Sequence, residues 1–385
     1  MSFLNDKKGV IIYVDGGICS QIHMCAIGLK FAKMGYHVKY DLSFYESKEL
    51  ESNIANGGGG GNHNLDSINS NISNNVNNKL QNLDSKDSKE NIESNHAKQI
   101  LDSIKHLQNG KDMFGNFARN YDMPLAFPHI KLEIASKEEI KYYQKHFGRI
   151  YPKPFNPFNY NPPAYFGMYY SYPAYLEFQD FLKQNFNPID KDSIKPLVNE
   201  ILESNSCAIH IRRGDVSGYT LYGYPPNKDY FLNAINLINK LDSNVKFYFF
   251  SDEVEWIKNH IIPHLNHINY TICEQNGSDK GYLDLYAISR AKHIIASHGS
   301  LGIYGKFLSI RKDKPNYFVL SKFSEIYFKL YKEDCILLGN NSFYTLPPKD
   351  CKDSNKKIRK LRFINKLRLQ LYEYLQEKLR KKGVI

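Results

Sequence analysis

The segment Cys207-Ala208-Ile209-His210-Ile211-Arg212-Arg213-Gly214-Asp215 joins a short apolar run to a polar end. Its apolar half predicts a buried strand, and two arginines, a glycine and a carboxylate follow directly. In open α/β sheets ligands bind beyond the carboxyl ends of the strands, and the guanidinium fork of arginine matches phosphate oxygens. We therefore expect an anion, in particular a phosphate, at this strand end. A solvated loop, or an adhesion loop at Arg213-Gly214-Asp215, is the alternative interpretation.

Strands and helices alternate with short loops from residue 207 to residue 320, which is the pattern of a parallel, doubly wound sheet. A second polar turn, Ser297-His298-Gly299-Ser300, follows a predicted strand at 293–297 and opens a helix at 301–308. Backbone N–H groups and hydroxyls at such a turn suit phosphate oxygens. Further strands are predicted at 245–250, 270–272 and 317–320, and further helices at 230–241, at 251–256 with Ser251 or Asp252 as N-cap, and at 281–290.

The N-terminal residues predict a second unit of the same kind. An apolar strand at 9–14 leads through Asp15-Gly16-Gly17 into a helix at 18–34 that Gly35 ends, and a strand follows at 38–41. Strand, glycine turn, helix and strand begin a Rossmann-like unit, in which glycines let backbone N–H groups approach a bound group. A structural turn without a ligand is the alternative.

The composition changes abruptly between residues 47 and 110. Asn, Ser, Lys and Asp predominate there, and five glycines run from Gly57 to Gly61. Such a segment buries too little apolar surface to offset its ordering entropy, so it is predicted to be a disordered insertion. The helical tendency at 91–107 is expected to lack tertiary support.

Three helices and an irregular connection are predicted after the insertion. Ser136 begins a helix at 137–147, residues 151–175 form a Pro- and Tyr-rich connection with a short strand at 165–170, and helices follow at 176–186 and 192–203. Asp190-Lys191-Asp192 has the Asp-x-Asp pattern of metal-dependent sugar-nucleotide enzymes. We interpret it as the N-cap of the last helix, because no second acidic cluster accompanies it. No metal site is predicted.

Length and composition limit the class of protein. The 385 residues suit two domains, and six cysteines without CxxC or zinc-like spacing indicate thiols in a reducing compartment. Because the N-terminus carries no signal-like segment, we expect a cytoplasmic protein. The net charge of +11 permits nucleic acid, an anionic membrane or an anionic substrate as partner.

Residues 346–385 predict a basic amphipathic C-terminal helix. Packing of its apolar face on the protein and docking on an anionic membrane surface explain it equally well, so peripheral contact with the inner membrane face stays open. Nucleic acid is not expected as a partner. Single-strand binding uses aromatic residues interleaved with basic ones, whereas the apolar positions of this segment are mostly aliphatic.

With these pieces in order, the chain resembles the family 11 α-1,2-fucosyltransferases, the bacterial members especially. The HxRRGD signature stands at His210–Asp215, and the Ser-Asp-(Asp/Glu) element with a following Trp stands at Ser251–Trp256. The long third motif runs from Asp284 to Leu308, and Phe166-Gly167-Met168-Tyr169 matches the element before the donor half. The N-terminal motif is matched at Gly16, Gly17, Gln21 and Ala26 and departs at Cys19 and Ser20, where the family usually has Gly and Asn.

The resemblance implies an α/β fold of the GT-B type, with two Rossmann-like domains facing a central cleft. It places the acceptor-side domain at 1–46 and 111–175 and the GDP-sugar-binding domain at 176–345. It further implies GDP-β-L-fucose as co-substrate, a galactose-containing oligosaccharide or glycolipid as acceptor, and inversion to an α-fucoside. Neither a cofactor nor a metal is implied. A different 6-deoxyhexose or a different linkage on the same scaffold is the alternative.

The resemblance also implies roles for single residues. Arg212 contacts the diphosphate, His210 and Asp215 orient it, Ser300 binds the β-phosphate, and Asp284 pairs with the N–H edge of guanine, a role that suits an acceptor-only carboxylate. An inverting transfer also needs a general base, for which Asp15 and His23 are the candidates. The remaining residues of the predicted donor site are Gly16, Gly17, Gln21, Asp252, Ser297 and Gly299.

Overall fold

The computed structural model of the protein describes residues 3–46, 95, 97–110, 119–147, 157–167, 174–214, 225–274, 276–277, 279–297, 299–321 and 335–338. Two parallel sheets lie within these ranges, one of three strands and one of six. The predicted α/β fold of the GT-B type is therefore confirmed, while the domain boundaries stay predictions. The predicted C-terminal helix at 346–385 and most of the predicted insertion lie outside the described residues.

The first sheet has the order β2-β1-β3 and forms the N-terminal unit. Its strands are β1 (Gly9–Tyr13), β2 (His37–Asp41) and β3 (Ala164–Phe166), and all of them are parallel. The apolar residues of β1 are buried because a neighbouring strand lies on each side. Helix α1 (Ile18–Lys33) connects β1 to β2, and Gly35 follows it with φ +86°, a conformation that glycine adopts without strain.

The second sheet has the order β6-β5-β4-β7-β8-β9 and forms the C-terminal unit. Every pair in it is parallel, and β4, with all six residues buried, lies between β5 and β7. A strand that is covered on both faces needs the continuous apolar run seen in the sequence. The bounds are β4 (Ser206–Ile211), β5 (Lys246–Ser251), β6 (Tyr270–Cys273), β7 (His293–Ala296), β8 (Phe318–Ser321) and β9 (Cys335–Leu338).

The remaining α-helices cover these sheets. In chain order they are α2 (residues 97–104), α3 (Met123–Ala126), α4 (Lys137–Phe147), α5 (Gln179–Asn185), α6 (Lys195–Glu203), α7 (Lys228–Leu241), α8 (Val254–His260), α9 (Gly281–Ile288) and α10 (Leu301–Phe307). Short 3-10 helices lie at Phe3–Asn5, Ser43–Tyr45, Lys105–Leu107, Pro157–Asn159, Ala174–Phe178, Lys191–Ile194 and Ile262–His264.

Two large apolar cores and one small cluster hold the described elements together, and the small cluster comprises Ile11, Ala135, Tyr143 and Tyr165. Helices α7 and α8 cover one face of the second sheet with their own core. On the other face α6, α9 and α10 belong to a core that continues into the N-terminal unit, through α1 and α3. The two units therefore share buried surface. Backbone hydrogen bonds cross the same junction, from Asn187 N–H to the Ala126 carbonyl (3.1 Å) and from Ile189 N–H to the Leu125 carbonyl (3.0 Å).

The predicted insertion extends too far toward its C-terminal end. Residues 97–110 are ordered against the N-terminal unit, and Ile104 and Leu107 lie in the shared core, 5% and 6% exposed. Tyr121 N–H donates to the Leu107 carbonyl (3.1 Å), and Asn109 N–H donates to the Tyr45 carbonyl (3.1 Å). The polar average composition of the segment did not reveal that Ile104 and Leu107, at positions i and i+3, are both apolar. These two side chains are enough to anchor the segment on the core. The expectation that this end lacks tertiary support is wrong.

The predicted N-cap at Asp190 is also wrong. The Asp190 side chain makes no capping bond; its Oδ2 accepts a hydrogen bond from the Tyr282 hydroxyl (2.8 Å). Residues Lys191–Ile194 form a 3-10 turn, and α6 begins only at Lys195, followed by Pro196, which suits a first helical turn. Ser136, by contrast, begins α4 as predicted, since its Oγ accepts from Glu139 N–H (3.2 Å).

Replacing Leu107 with alanine is expected to lower the free energy of unfolding by about 2–3 kcal/mol, because the residue is buried at the edge of the core. Leu101→Ala is the matched control in the same segment. Leu101 is 50% exposed, and its replacement is expected to change stability by less than about 0.5 kcal/mol. Urea denaturation of both variants measures the difference. Equal stabilities would show that the segment does not pack on the core in solution.

Candidate functional site

The polar end of β4 lies directly beside the turn that follows β7. The register pairs His210 with Ala296, so Arg212 and Ser297 leave the sheet at the same edge. Ser297 N–H donates to the His210 carbonyl (3.0 Å), and Arg212 N–H donates to Ser297 Oγ (2.9 Å). The buried Ser297 hydroxyl therefore holds the backbone of Arg212. The structure thus brings together the two polar turns that the sequence singled out.

Gly299 packs against the side chain of Arg212. Its φ of +99° lies in the region that favours glycine, and a Cβ at this position would lie 3.0 Å from Arg212 Cδ. Ser300 follows and begins α10. Burial raises the pKa of the Cys19 thiol, at the start of α1, to about 12, and the nearby Ser300 and Arg212 oppose this shift. The start of α1 therefore lies across from Arg212 and Ser300, which places the glycine turns of both units at one cleft.

Arg213 holds the neighbouring loop in place and is itself buried. It is 1% exposed, its guanidinium carbon lies 3.9 Å from the centre of the Trp256 ring, and its Nε lies 3.5 Å from Glu253 Oε2. Its backbone N–H donates to Asp252 Oδ1 (2.8 Å). Asp252 thus orients the motif, and α8 has no side-chain cap. The prediction of Asp252 as N-cap is wrong, because its carboxylate accepts the hydrogen bond from the Arg213 N–H instead.

The turn between β1 and α1 has the conformation that its glycines predict. Gly16 has φ +73°, and its carbonyl accepts from the hydroxyl of buried Tyr45 (2.9 Å). A Cβ on Gly17 would lie 3.7 Å from Arg119 Cδ, so the arginine side chain lies over the turn. Asp15 precedes the turn and is partly exposed, within 3.4 Å of Ser20 Oγ.

Gln21 fastens this turn to the segment that follows the insertion. It is 1% exposed, and its Nε2 donates to the carbonyls of Gly16 (3.3 Å) and Asn120 (2.7 Å). Its Oε1 accepts from the backbone N–H groups of Asp122 and Met123 (2.9 Å each). Both donors and both acceptor positions of the amide are therefore used inside the protein. The contact of Gln21 with the donor stays a prediction.

His23 lies at the junction of the two units and not in the cleft. It is 1% exposed, its Nδ1 lies 3.3 Å from the hydroxyl of Tyr304 on α10, and its ring packs beside Tyr175. The ring of His23 therefore helps to hold α1 against α10. The role of His23 as general base stays a prediction.

Asp284 lies on the first turn of α9, where the sequence placed a guanine-binding carboxylate. Asn276 Nδ2 donates to its Oδ1 (2.7 Å). Burial raises the pKa of Asp284 to about 7, although the bond from Asn276 opposes the shift. The carboxyl group therefore changes its charge near neutral pH.

Asp215 and His298 lie outside the described residues. Among the residues that are described, no group of three or more His, Cys, Asp or Glu side chains is arranged to hold a metal ion. Within the same residues, none of the helices has the length and apolar character needed to cross a bilayer. The predicted contact with an anionic membrane stays a prediction.

Sequence reasoning did not single out Arg119 and Asp122, although the structure places both near the turn at Gly16 and Gly17. They follow the insertion, and no glycine turn or apolar strand marks them in the sequence. Their position depends on the hydrogen bonds of Gln21, about a hundred residues earlier, and only the folded chain shows it.

Comparisons with known proteins show the family of the chain. The model of "Glycosyl transferase family 11" matches residues 135–333. An α-1,2-colitosyltransferase of Escherichia coli is 29% identical over 142 residues, which are 35% of this chain and 47% of that protein. The O-antigen biosynthesis glycosyltransferase WbnK of Escherichia coli is 27% identical over 115 residues, or 29% of this chain and 37% of that protein. The chain thus matches less than half the length of these relatives.

Solved structures of fucosyltransferases are also similar to the chain. NodZ from Bradyrhizobium has a TM-score of 0.41 at 11% identity, over 79% of this chain and 94% of that one. POFUT1 in complex with GDP has a TM-score of 0.37 at 11% identity, over 81% of this chain and 98% of that one. These values are too low to carry any residue of those proteins over to this chain.

Proposed function

Because the chain belongs to glycosyl transferase family 11, we propose that it is an inverting fucosyltransferase. It moves L-fucose from GDP-β-L-fucose to a hydroxyl of a surface glycan, O2 of a terminal galactose, and leaves an α-fucoside. The observation that supports this proposal is the position of Arg212, held by Ser297 and Gly299 at the edge of the cleft. GDP-fucose is a co-substrate, and neither a cofactor nor a metal is required.

Arg212 stabilises the leaving group. As the bond between fucose and GDP breaks, negative charge builds on the diphosphate, and an enzyme without a metal must offset it with positive side chains and N–H donors. Ser297 fixes the backbone from which the guanidinium extends, and Ser300 adds a hydroxyl for the β-phosphate. His210, near the end of β4, and Asp215 keep the proposed role of orienting the diphosphate.

Asp284 recognises guanine in this proposal. A carboxylate accepts two hydrogen bonds side by side, which matches the adjacent N–H donors of the guanine edge. Asn276 orients the carboxyl group of Asp284 through its bond to Oδ1. Within the hydrogen bonds that the structure describes, Oδ2 of Asp284 stays available for guanine. The same pairing would disfavour an adenine nucleotide, which presents a different pattern of donors and acceptors.

A different 6-deoxyhexose is the second candidate. The relative named α-1,2-colitosyltransferase supports it, and the departure from the usual motif at Cys19 and Ser20 lies where the start of α1 meets the cleft. The Cys19 thiol lies near Ser300 and Arg212, which influence its pKa, so a change at this position alters the surroundings of the proposed donor site. Both candidates use the same GDP-binding residues.

Product analysis tests the proposal. The protein is incubated with GDP-fucose, GDP-colitose or GDP-mannose, a galactose-terminated acceptor and EDTA, and the linkage of the product is read by NMR. An α-1,2-fucoside formed in EDTA is the expected result. Turnover of another nucleotide sugar with none of GDP-fucose would contradict the fucosyl assignment, and a strict requirement for Mg²⁺ or Mn²⁺ would contradict the metal-independent mechanism.

The raised pKa of Asp284 gives this function a dependence on pH. Below a pKa of about 7 the carboxyl group is protonated and loses an acceptor position, so binding of guanine weakens as the pH falls. The ionised fraction falls about tenfold between pH 8 and pH 6, and we expect KM for the sugar nucleotide to rise by about that factor.

The measurement uses the sugar nucleotide because its diphosphate diester does not titrate in this range. Asp284→Asn removes the titrating group and is expected to show a high KM at every pH. A KM of the unchanged protein that is constant from pH 6 to pH 8 would show that Asp284 does not pair with the donor.

A further inference from the structure

One oxygen of the Asp122 carboxyl group has no hydrogen-bond partner within the part of the chain that the structure describes. Asp122 stands at the N-cap of α3, where an aspartate usually accepts from the helix, yet its side chain makes no capping bond. The residue is 6% exposed, and its Oδ1 is buried without a hydrogen-bond partner among the described residues. A buried acceptor without a partner has lost its hydrogen bonds to water and gained none in return, which destabilises the fold. Such a group indicates a ligand that brings a donor.

Asp122 lies beside the turn at Gly16 and Gly17. The amide of Gln21 binds the backbone N–H of Asp122 and the carbonyl of Gly16 at once. Burial raises the pKa of Tyr45 well above its ordinary value, and the charges of Asp15 and Asp122 raise it further. The Tyr45 hydroxyl also donates to the Gly16 carbonyl. Asp122, Asp15 and Tyr45 therefore lie near one end of the turn.

Asp122 lies near carboxylates of the C-terminal unit. Burial raises the pKa of Asp122 well above its ordinary value; the charges of Asp279 and Asp190 raise it further, and Arg119 opposes them. The Tyr282 hydroxyl, on the first turn of α9, donates to Asp190, and burial and the charges of the three carboxylates raise its pKa. Asp122 is therefore a carboxyl group of the N-terminal unit that lies within electrostatic range of the start of α9.

We propose that Asp122 binds the attacking hydroxyl of the acceptor sugar and accepts its proton, a role that rests on the proposed transfer from a GDP-sugar. The oxygen of the acceptor forms the new bond to the anomeric carbon while the bond from that carbon to the diphosphate oxygen breaks. The bonding electrons stay on GDP, and the acceptor's proton goes to the Asp122 carboxylate. An acceptor hydroxyl that enters between the two units supplies the hydrogen bond that Oδ1 lacks.

The raised pKa suits this chemistry. A carboxylate with an ordinary pKa is a weak base at neutral pH, and a general base works best when its pKa lies close to the working pH. Asp15, the other carboxylate at the turn, is partly exposed and lies within reach of Ser20. Asp122 combines burial, like charges and an oxygen without a partner, and Asp15 does not share all three.

Asp122→Asn tests the proposal, because asparagine keeps the size of the side chain and is equally suited to an N-cap. In assays with the sugar nucleotide that the unchanged protein turns over, kcat is expected to fall by about 10²–10⁴-fold. KM for the sugar nucleotide should stay within about twofold, since Asp122 does not bind the donor. A kcat within about threefold of the unchanged protein would overturn the proposal.

Asp279→Asn is the matched variant, and it tests the proposal even if Asp122→Asn does not fold. Asp279 is exposed and contributes a like charge to Asp122, so its removal lowers the pKa of Asp122. The acidic limb of kcat against pH should shift to lower pH while the plateau is kept. An acidic limb that does not move would overturn the role of Asp122, as a purely structural residue would leave it in place. No turnover of any GDP-sugar by the unchanged protein would refute the proposed function and this inference with it.

Discussion

Arg212→Ala is expected to lower kcat by about 10²–10³-fold, which corresponds to about 2.7–4 kcal/mol of transition-state stabilisation. The guanidinium interacts more strongly with the diphosphate as the leaving-group charge develops, so its loss lowers kcat and does not merely raise KM. Arg212→Lys should recover little of the rate, because a point charge does not reproduce the planar fork of donors. Steady-state kinetics with saturating acceptor measures both variants.

The control for Arg212 is Lys312→Ala, which removes one positive charge at an exposed position on the C-terminal unit. Its kcat should equal that of the unchanged protein, because an exposed and distant charge is screened by salt. Near-normal turnover by Arg212→Ala would show that the diphosphate is held elsewhere. Equal losses in both variants would point to general electrostatic attraction of the donor.

Gln21→Ala is expected to lower the free energy of unfolding by about 3–5 kcal/mol, since each buried polar group left without a partner costs about 1–3 kcal/mol. The side chain satisfies two carbonyls and two N–H groups that lie in separate parts of the chain. Their loss releases the turn at Gly16 from the segment that holds Asp122. Denaturant unfolding measures the change, and exposed Gln184→Ala is the control, expected within about 0.5 kcal/mol.

Gln21→Glu separates the donor and acceptor roles of the amide. A glutamate keeps an oxygen for the N–H groups of Asp122 and Met123, but its second oxygen faces the carbonyls of Gly16 and Asn120. Only a protonated carboxyl group can donate there, so this variant should be less stable at pH 8 than at pH 5, relative to the unchanged protein. Unchanged stability of Gln21→Ala together with a raised KM for the donor would show that Gln21 binds the donor and does not fasten the turn.

Local patterns in the sequence predicted the elements that carry the site. The apolar run at 207–211 predicted β4, and the apolar segments at 245–250 and 293–297 predicted β5 and β7. Short-range chemistry was enough here, because buried parallel strands require continuous apolar runs and glycines with positive φ mark turns. The structure adds that the turns at Arg212 and Ser297 are adjacent, since the parallel strands β4 and β7 pair and end at one edge of the sheet.

Other side chains of the predicted site have hydrogen-bond partners far away along the chain, which the sequence did not show. Gln21 bonds to a residue 99 positions later, His23 lies beside a residue 281 positions later, and Asp252 accepts from a residue 39 positions earlier. In the sequence, a polar side chain beside a motif looks free to bind a ligand. In the folded chain it forms hydrogen bonds with the polar groups that are buried next to it. The same cause hid Asp122, whose position is set by Gln21.

The order of apolar runs, glycine turns and arginines by itself determined the α/β architecture and the strand end at which an anion is expected, because these depend on neighbours within a few residues. Only the tertiary structure decided which polar side chains remain for a substrate. Burial and long-range hydrogen bonds assign Gln21 and His23 to the interior and leave an oxygen of Asp122 without a partner among the described residues. Availability of a polar group depends on its desolvation and on the groups packed around it, and both arise only when distant segments meet.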